Sequence, residues 1–355
     1  MTENRNPFQT QTYFQNRWRK VGRKLAFSAG SPAEWARWRQ RTVKKLQELT
    51  GYDTMETTAL RPKVTEERDL GDYLRQRVEI CTEPGVVMPL YVLIPKGAAP
   101  PFPAVLAPHG HASGGKLAVA GCRENPDIAQ TIDAYNYDYG VQFAKAGFIA
   151  FCPDARGFGE RQETLAKASI LNSSCQWINN MAYPLGQTVT GMWAWDLHRL
   201  VDYVQSRQDC IPGALGCAGL SGGGLQTLWA AAFDTRIRCA VISGYLYGYK
   251  ESLLDLHGNC SCNYVPGLYQ HADMGDVAAL IAPRPLLIET GTQDPLNGAS
   301  GLKNVLSQVR IIARAYRLLK AGELLQHDIF EGEHRWHGAL AIPWLRTHLA
   351  HEKRG

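Results

Sequence analysis

Five short apolar segments, PAVLAPHG, FIAFCPDARG, ALGCAGLSG, RCAVISG and PLLIETGTQD, lie between residues 103 and 294, and each ends in small or polar residues. Runs this short and this apolar are strands with no wet face, so something must cover them on both sides. Helical stretches separate them. In 187–207, for example, Val189, Trp193, Leu197, Leu200 and Val204 fall on one face. Strand and helix in alternation define an α/β fold: a mostly parallel central sheet with helices on both faces. Ligands of such sheets bind beyond the carboxyl ends of the strands, which directs attention to the residues ending each segment.

The flanking sequence completes the architecture. RQRVEICTEPG and VVMPLYVLIP alternate as an antiparallel strand pair near one sheet edge. Upstream, Ser31-Pro32-Ala33-Glu34 reads as a helix start, with Ser31 as cap and Glu34 closing a capping box. Trp35, Trp38, Thr42, Leu46 and Leu49 then recur at helical spacing until Gly51 stops the run. The expected organisation is an N-terminal helical extension over residues 1–63 and a catalytic domain over 64–355. The extension could mediate a homo-oligomer or merely cover the sheet.

Composition narrows the partners. The net charge of +5 arises from 38 basic and 33 acidic residues with no polybasic block, which argues against nucleic acid and membrane surfaces. No run approaches the roughly 18 apolar residues of a membrane helix, and the first twenty residues are too polar for a secretory signal, so a cytoplasmic location is expected. The nine cysteines are scattered, several within strand-like runs, and are expected to be mostly reduced core residues.

The sharpest local signal is Gly219-Leu220-Ser221-Gly222-Gly223, directly between the strand ALGCAG and the helical run GLQTLWAAAF. A strand-to-helix turn this tight needs small residues two before and two after its centre, and it pushes the serine out to where a substrate can reach. A nucleophilic serine needs a base and an orienting acid. Asp294, at the end of PLLIETGTQDP, is the expected acid, with Glu289 as fallback. His334, just after the strand QHDIFEG, is the expected base. His337 is the alternative, placed here at the start of the closing helix.

Acyl transfer also needs N–H donors for a developing oxyanion. These are assigned to Gly222, next to the serine, and to the Pro108-His109-Gly110-His111 loop, with His111 first and Gly110 second. Arg156, in DARGFGER, is expected to pair with Asp154 and brace its loop. The functional alternative is that Arg156 clamps a substrate carboxylate. A segment at about 245–275, with Tyr245, Tyr247, Tyr249 and Tyr264, is expected to wall the pocket, Tyr245 and Tyr264 contacting substrate. Within it, His257, Cys260 and Cys262, with His271 beyond, invite a zinc reading. Cys-x-Cys is too close for the usual knuckle, so a packed loop, no metal and no cofactor are expected.

Taken in order, PHGH, the Asp154–Arg161 segment, GLSGGG, CNYVPG, IAPRPLLIETGTQDP and EGEHRWHG resemble the dienelactone hydrolase-like and acetyl xylan esterase-like bacterial branch of the α/β-hydrolases, over about residues 75–350. The resemblance implies a cofactor-free serine hydrolase of carboxylic esters with Ser221, Asp294 and His334 as nucleophile, acid and base. Dienelactone hydrolases proper use cysteine where this chain has Ser221, which favours esters over lactones. The expected activity is that of a carboxylesterase or acetyl esterase on a small-molecule or carbohydrate ester. The alternatives are a serine peptidase of the same fold and a non-catalytic binding protein built on it.

Overall fold

In the computed structural model, which describes residues 8, 10–166, 169–255 and 258–349, the apolar segments become the middle of a nine-stranded sheet. The strands are β1 (Lys63–Asp69), β2 (Tyr73–Glu83), β3 (Val86–Pro95), β4 (Phe102–Leu106), β5 (Ile149–Pro153), β6 (Cys210–Leu220), β7 (Cys239–Ser243), β8 (Leu286–Gly291) and β9 (Leu325–Phe330). Their spatial order is β1-β2-β3-β5-β4-β6-β7-β8-β9. Pairing is antiparallel from β1 through β3 to β5 and parallel from β5 onward. Every residue of β5, β7 and β8 is buried. The edge strand β1, KVTEERD, is almost wholly exposed, and its charges discourage further strand addition.

Among the described residues, eleven helices complete the fold: α1 (Thr10–Lys20), α2 (Pro32–Thr50), α3 (Lys116–Val119), α4 (Pro126–Tyr135), α5 (Tyr139–Lys145), α6 (Cys175–Ala182), α7 (Val189–Ser206), α8 (Gly222–Phe233), α9 (Met274–Ala279), α10 (Leu302–Leu318) and α11 (Ala341–Leu349). Because successive strand side chains point to opposite faces, each central strand feeds two cores. Ala104, Phe151, Ile242 and Ile288 pack with α2, α7, α8, α9 and α10 residues such as Trp38, Trp193, Leu228, Val277 and Ile312. Val105, Ala150, Val241 and Leu287 join Ile128, Phe143 and Leu345 of α4, α5 and α11 on the other face.

Helix α2 forms as its sequence predicts, with one difference. Ser31 accepts the Glu34 amide at 3.3 Å, and Gly51 caps the far end at φ +72°. The Glu34 carboxylate, however, accepts from the Gly30 amide at 2.7 Å, one residue upstream of the expected partner. Trp38, Thr42, Leu46 and Thr50 are buried, and α2 packs on α7 and α8. The closing helix begins only at Ala341, so His337 lies in the preceding loop and not in the helix.

Candidate active site

The turn from β6 into α8 places Ser221 at φ 59°, ψ −120°, a conformation that costs a non-glycine residue about 1–3 kcal/mol. The glycines around it make so tight a turn feasible. A Cβ on Gly219 would lie 2.6 Å from the Gly223 carbonyl carbon, and one on Gly223 would lie 2.2 Å from the Pro108 oxygen. The Ser221 amide donates to the Ser243 carbonyl at 2.9 Å, anchoring the strained residue to β7. Its side chain faces a cavity of about 240 Å³ whose wall includes His111, Gly222, Tyr245, Cys260 and His334.

The loops after β8 and β9 deliver the other two groups. Asp294 is buried and accepts the Leu296 amide on Oδ1 at 2.8 Å. Its Oδ2 lies 2.7 Å from His334 Nδ1. A carboxylate there requires Nδ1 to carry the hydrogen, which leaves Nε2 as the free acceptor of the imidazole. The Gln293 amide donates to the Gly332 carbonyl at 2.9 Å and ties the two loops together, while the Asn297 side chain donates to the Gly291 carbonyl at 2.9 Å within the loop after β8.

His337 forms a separate pair. Its Nδ1 lies 2.7 Å from Asp328 Oδ2, and its ring stacks on Phe330 at 4.3 Å; it is not part of the cavity wall. Glu289 lies buried in β8 and accepts the Gly338 amide at 3.0 Å. It shares a cluster with Asp328 and His337 and not with His334.

The loop after β4 closes over the elbow. A Cβ on Gly222 would meet His111 Nδ1 at 3.1 Å, so the imidazole lies against the start of α8. His111 and Gly222 both face the cavity, whereas Gly110 does not line it. Sequence reasoning missed what fixes this loop. His109 is fully buried; its Nε2 accepts the Ala155 amide at 3.1 Å, so Nδ1 carries the hydrogen and donates to the Gly110 carbonyl at 2.8 Å. Burial pushes its pKa down to about 4, and the ring stays neutral as that bonding requires. Phe158 sets its edge against both His109 and His111, and Tyr137 donates to the His111 carbonyl at 2.9 Å.

Two expectations are corrected. Arg156 does not pair with Asp154 and does not reach the cavity. Its guanidinium forks onto Asp196 at 3.0 and 3.1 Å and reaches Glu83 at 2.6 Å. Asp154 instead takes the Lys116 ammonium at 2.6 Å, both groups being buried. Tyr264 likewise lies off the cavity wall, its hydroxyl donating to the Leu253 carbonyl at 2.8 Å, while Tyr245 does line the cavity. Of the residues considered for zinc, His257 lies outside the described residues. His271 sits near Lys24 and Lys45, and Cys260 and Cys262 meet His111 instead.

Sheet order, elbow and loop positions define an α/β-hydrolase. The chain belongs to the Abhydrolase family, whose model matches residues 8–337. Among curated proteins it is 27% identical over 269 residues to "Putative hydrolase YtaP" of Bacillus subtilis (strain 168), covering 70% of this chain and 83% of that one. Among solved structures it is similar to a "putative acetyl xylan esterase" from Bacteroides fragilis NCTC 9343, with TM-score 0.77, 18% identity and coverage of 98% and 97% of the two chains. It is also similar to a glucuronoyl esterase from Solibacter usitatus, with TM-score 0.65, 16% identity and coverage of 92% and 97%. No helix among the described residues is long and apolar enough to cross a membrane.

Proposed function

We propose that this protein is a serine carboxylic-ester hydrolase that removes small acyl groups through an acyl-enzyme. The observation that carries this reading is the strained Ser221 facing the same cavity as a histidine whose Nδ1 is held by a buried carboxylate at 2.7 Å. In this reading His334 Nε2 takes the Ser221 proton as Oγ attacks the ester carbonyl, and Asp294 stabilises the imidazolium that forms. The amides of His111 and Gly222 receive the oxyanion. Collapse of the tetrahedral intermediate expels the alcohol, which takes the proton back from His334. Water, deprotonated by the same nitrogen, then releases the acid.

The cavity supports a small, uncharged acyl group. Its volume lies below the roughly 300–1,000 Å³ of drug-sized pockets, and among the described residues no Lys, Arg, Asp or Glu lines it. The names of the structural neighbours support a carbohydrate ester as the parent substrate. A fluorophosphonate probe is expected to modify Ser221, and Ser221→Ala, shown folded by circular dichroism, to lose nearly all turnover of p-nitrophenyl acetate and acetylated sugars. Labelling at another residue, or an active Ser221→Ala variant, would refute the reading.

A further inference from the structure

The cavity wall carries a second group of reactive side chains that ester hydrolysis does not use. His111 Nε2, Cys260 Sγ and Cys262 Sγ all lie within 4.8 Å of one another, Cys262 Sγ being 3.5 Å from His111 Nε2. A third thiol joins them. Cys175, the first residue of α6, is fully buried and neighbours Cys260 and Cys262, outside the group of three whose ligand atoms lie within 4.8 Å of one another. Three separate stretches of chain thus converge: the loop after β4, the start of α6 and the loop at 258–264.

We propose that Cys175, Cys260, Cys262 and His111 form a binding site for zinc or a chemically similar thiophilic metal ion. Three sulfurs and one imidazole nitrogen are a donor set that tetrahedral zinc takes readily. With bonds of about 2.3 Å to sulfur and about 2.0 Å to nitrogen, tetrahedral ligand atoms stand roughly 3.4–3.8 Å apart. The Cys262–His111 separation already has that value, the other pairs among His111, Cys260 and Cys262 need to close by about 1 Å, and Cys175 must move in from outside that group. The close Cys-x-Cys spacing is no obstacle, because Cys175 and His111 come from elsewhere in the chain.

The surroundings fit such a site. Asn263 Nδ2 donates to Cys262 Sγ at 3.7 Å, and Ser173 Oγ lies 3.5 Å from Cys260 Sγ, contacts that would stabilise metal-bound thiolates. Binding takes the thiols as thiolates and therefore releases protons. His111 and Cys260 line the cavity, which gives the ion a path in from solvent. A bound ion would tie the His111 loop to α6 and to the 258–264 loop.

The test uses the full, reduced chain and reads the metal directly, so its result does not depend on whether Ser221 is the nucleophile. Titration with cobalt(II) is expected to give one equivalent of a tetrahedral species with thiolate-to-cobalt charge-transfer bands, and zinc is expected to displace it. Zinc should also protect Cys260 from alkylation in the unaltered protein, read by peptide mass spectrometry. Cys175→Ser and Cys260→Ser should each weaken binding by more than about 100-fold, since even outer-shell changes cost 10–100-fold. Cys81→Ser, on β2 and outside the cluster, should leave the bands unchanged. Absence of thiolate charge-transfer bands, bands that persist in Cys175→Ser and Cys260→Ser, or alkylation of Cys260 unaffected by zinc would overturn the proposal.

Discussion

Glu289 is a carboxyl group in the middle of a sheet, and replacing it with glutamine should stabilise the protein in a pH-dependent way. One oxygen accepts the Gly338 amide, while Oε2 and the nearby Ser243 hydroxyl have no hydrogen-bond partner among the described residues. Burial pushes the pKa from 4.5 up to about 7. A carboxyl raised on folding leaves stability intact below its unfolded pKa, and stability falls as pH rises through the folded value. The shift corresponds to about 3 kcal/mol, fully lost above neutrality and fully retained near pH 4. Glutamine cannot ionise, keeps the acceptor for Gly338 and adds a donor toward Ser243. Urea denaturation of both proteins, followed by tryptophan fluorescence at pH 4 and pH 8, isolates the effect because titrations not coupled to Glu289 cancel in the difference, leaving Glu289 and its neighbours Asp328 and His337. Glu289→Gln should match the parent at pH 4 and exceed it by about 3 kcal/mol at pH 8. A gap no larger at pH 8 than at pH 4 would refute the reasoning.

The two histidines near the C-terminus should separate cleanly in steady-state esterase assays. His334→Ala is expected to lose turnover by about 10⁴-fold or more, whereas folded His337→Ala, which breaks only the pair with Asp328, should stay within about tenfold of the parent; the reverse ranking would move the base to His337. Asp196→Asn leaves Arg156 and Arg161 without their shared carboxylate in the interior and should cost about 3–5 kcal/mol by denaturant midpoint. Because Arg156 is held by Asp196 and Glu83 and does not line the cavity, KM of the remaining folded enzyme should hold steady, and a KM rise without loss of stability would restore the substrate-clamp reading.

The fold was legible because its signals are local and repeated. Doubly apolar runs such as CAVIS and LLIETG admit only a covered parallel sheet, and the chain has several of them with helices between. The Ser221 turn was equally legible, since strand, glycine spacing and helix all fall within about twenty consecutive residues. Asp294 and His334 could be singled out by their places after β8 and β9, yet their meeting at 2.7 Å depends on strand order, which no local pattern encodes. Placing His337 in the closing helix failed for a local reason. The apolar run ALAIPWL begins just after Gly338, but Gly338 takes φ +71° and the helix starts only at Ala341.

The misread partners have a common physical cause. A charged side chain near the carboxyl edge of a sheet can be satisfied by any element that the fold brings over it. Arg156 had Asp154 two residues away, but Asp154 is already met by Lys116 from the start of α3. Asp196, from the middle of α7, then offers Arg156 a fork that a neighbour in the same tight loop cannot match. The thiols follow the same logic. Cys260 and Cys262 read as ordinary packing because a cluster of ligands shows itself in sequence only when its spacing is short, and here Cys175 lies 85 residues and His111 149 residues upstream of Cys260. What brings His111 among them is the loop that His109, Phe158 and Tyr137 hold against the Ser221 elbow. The packing that positions a candidate oxyanion donor therefore also builds the sulfur-rich wall, and any ion held there would act on the loop that the hydrolytic reading depends on.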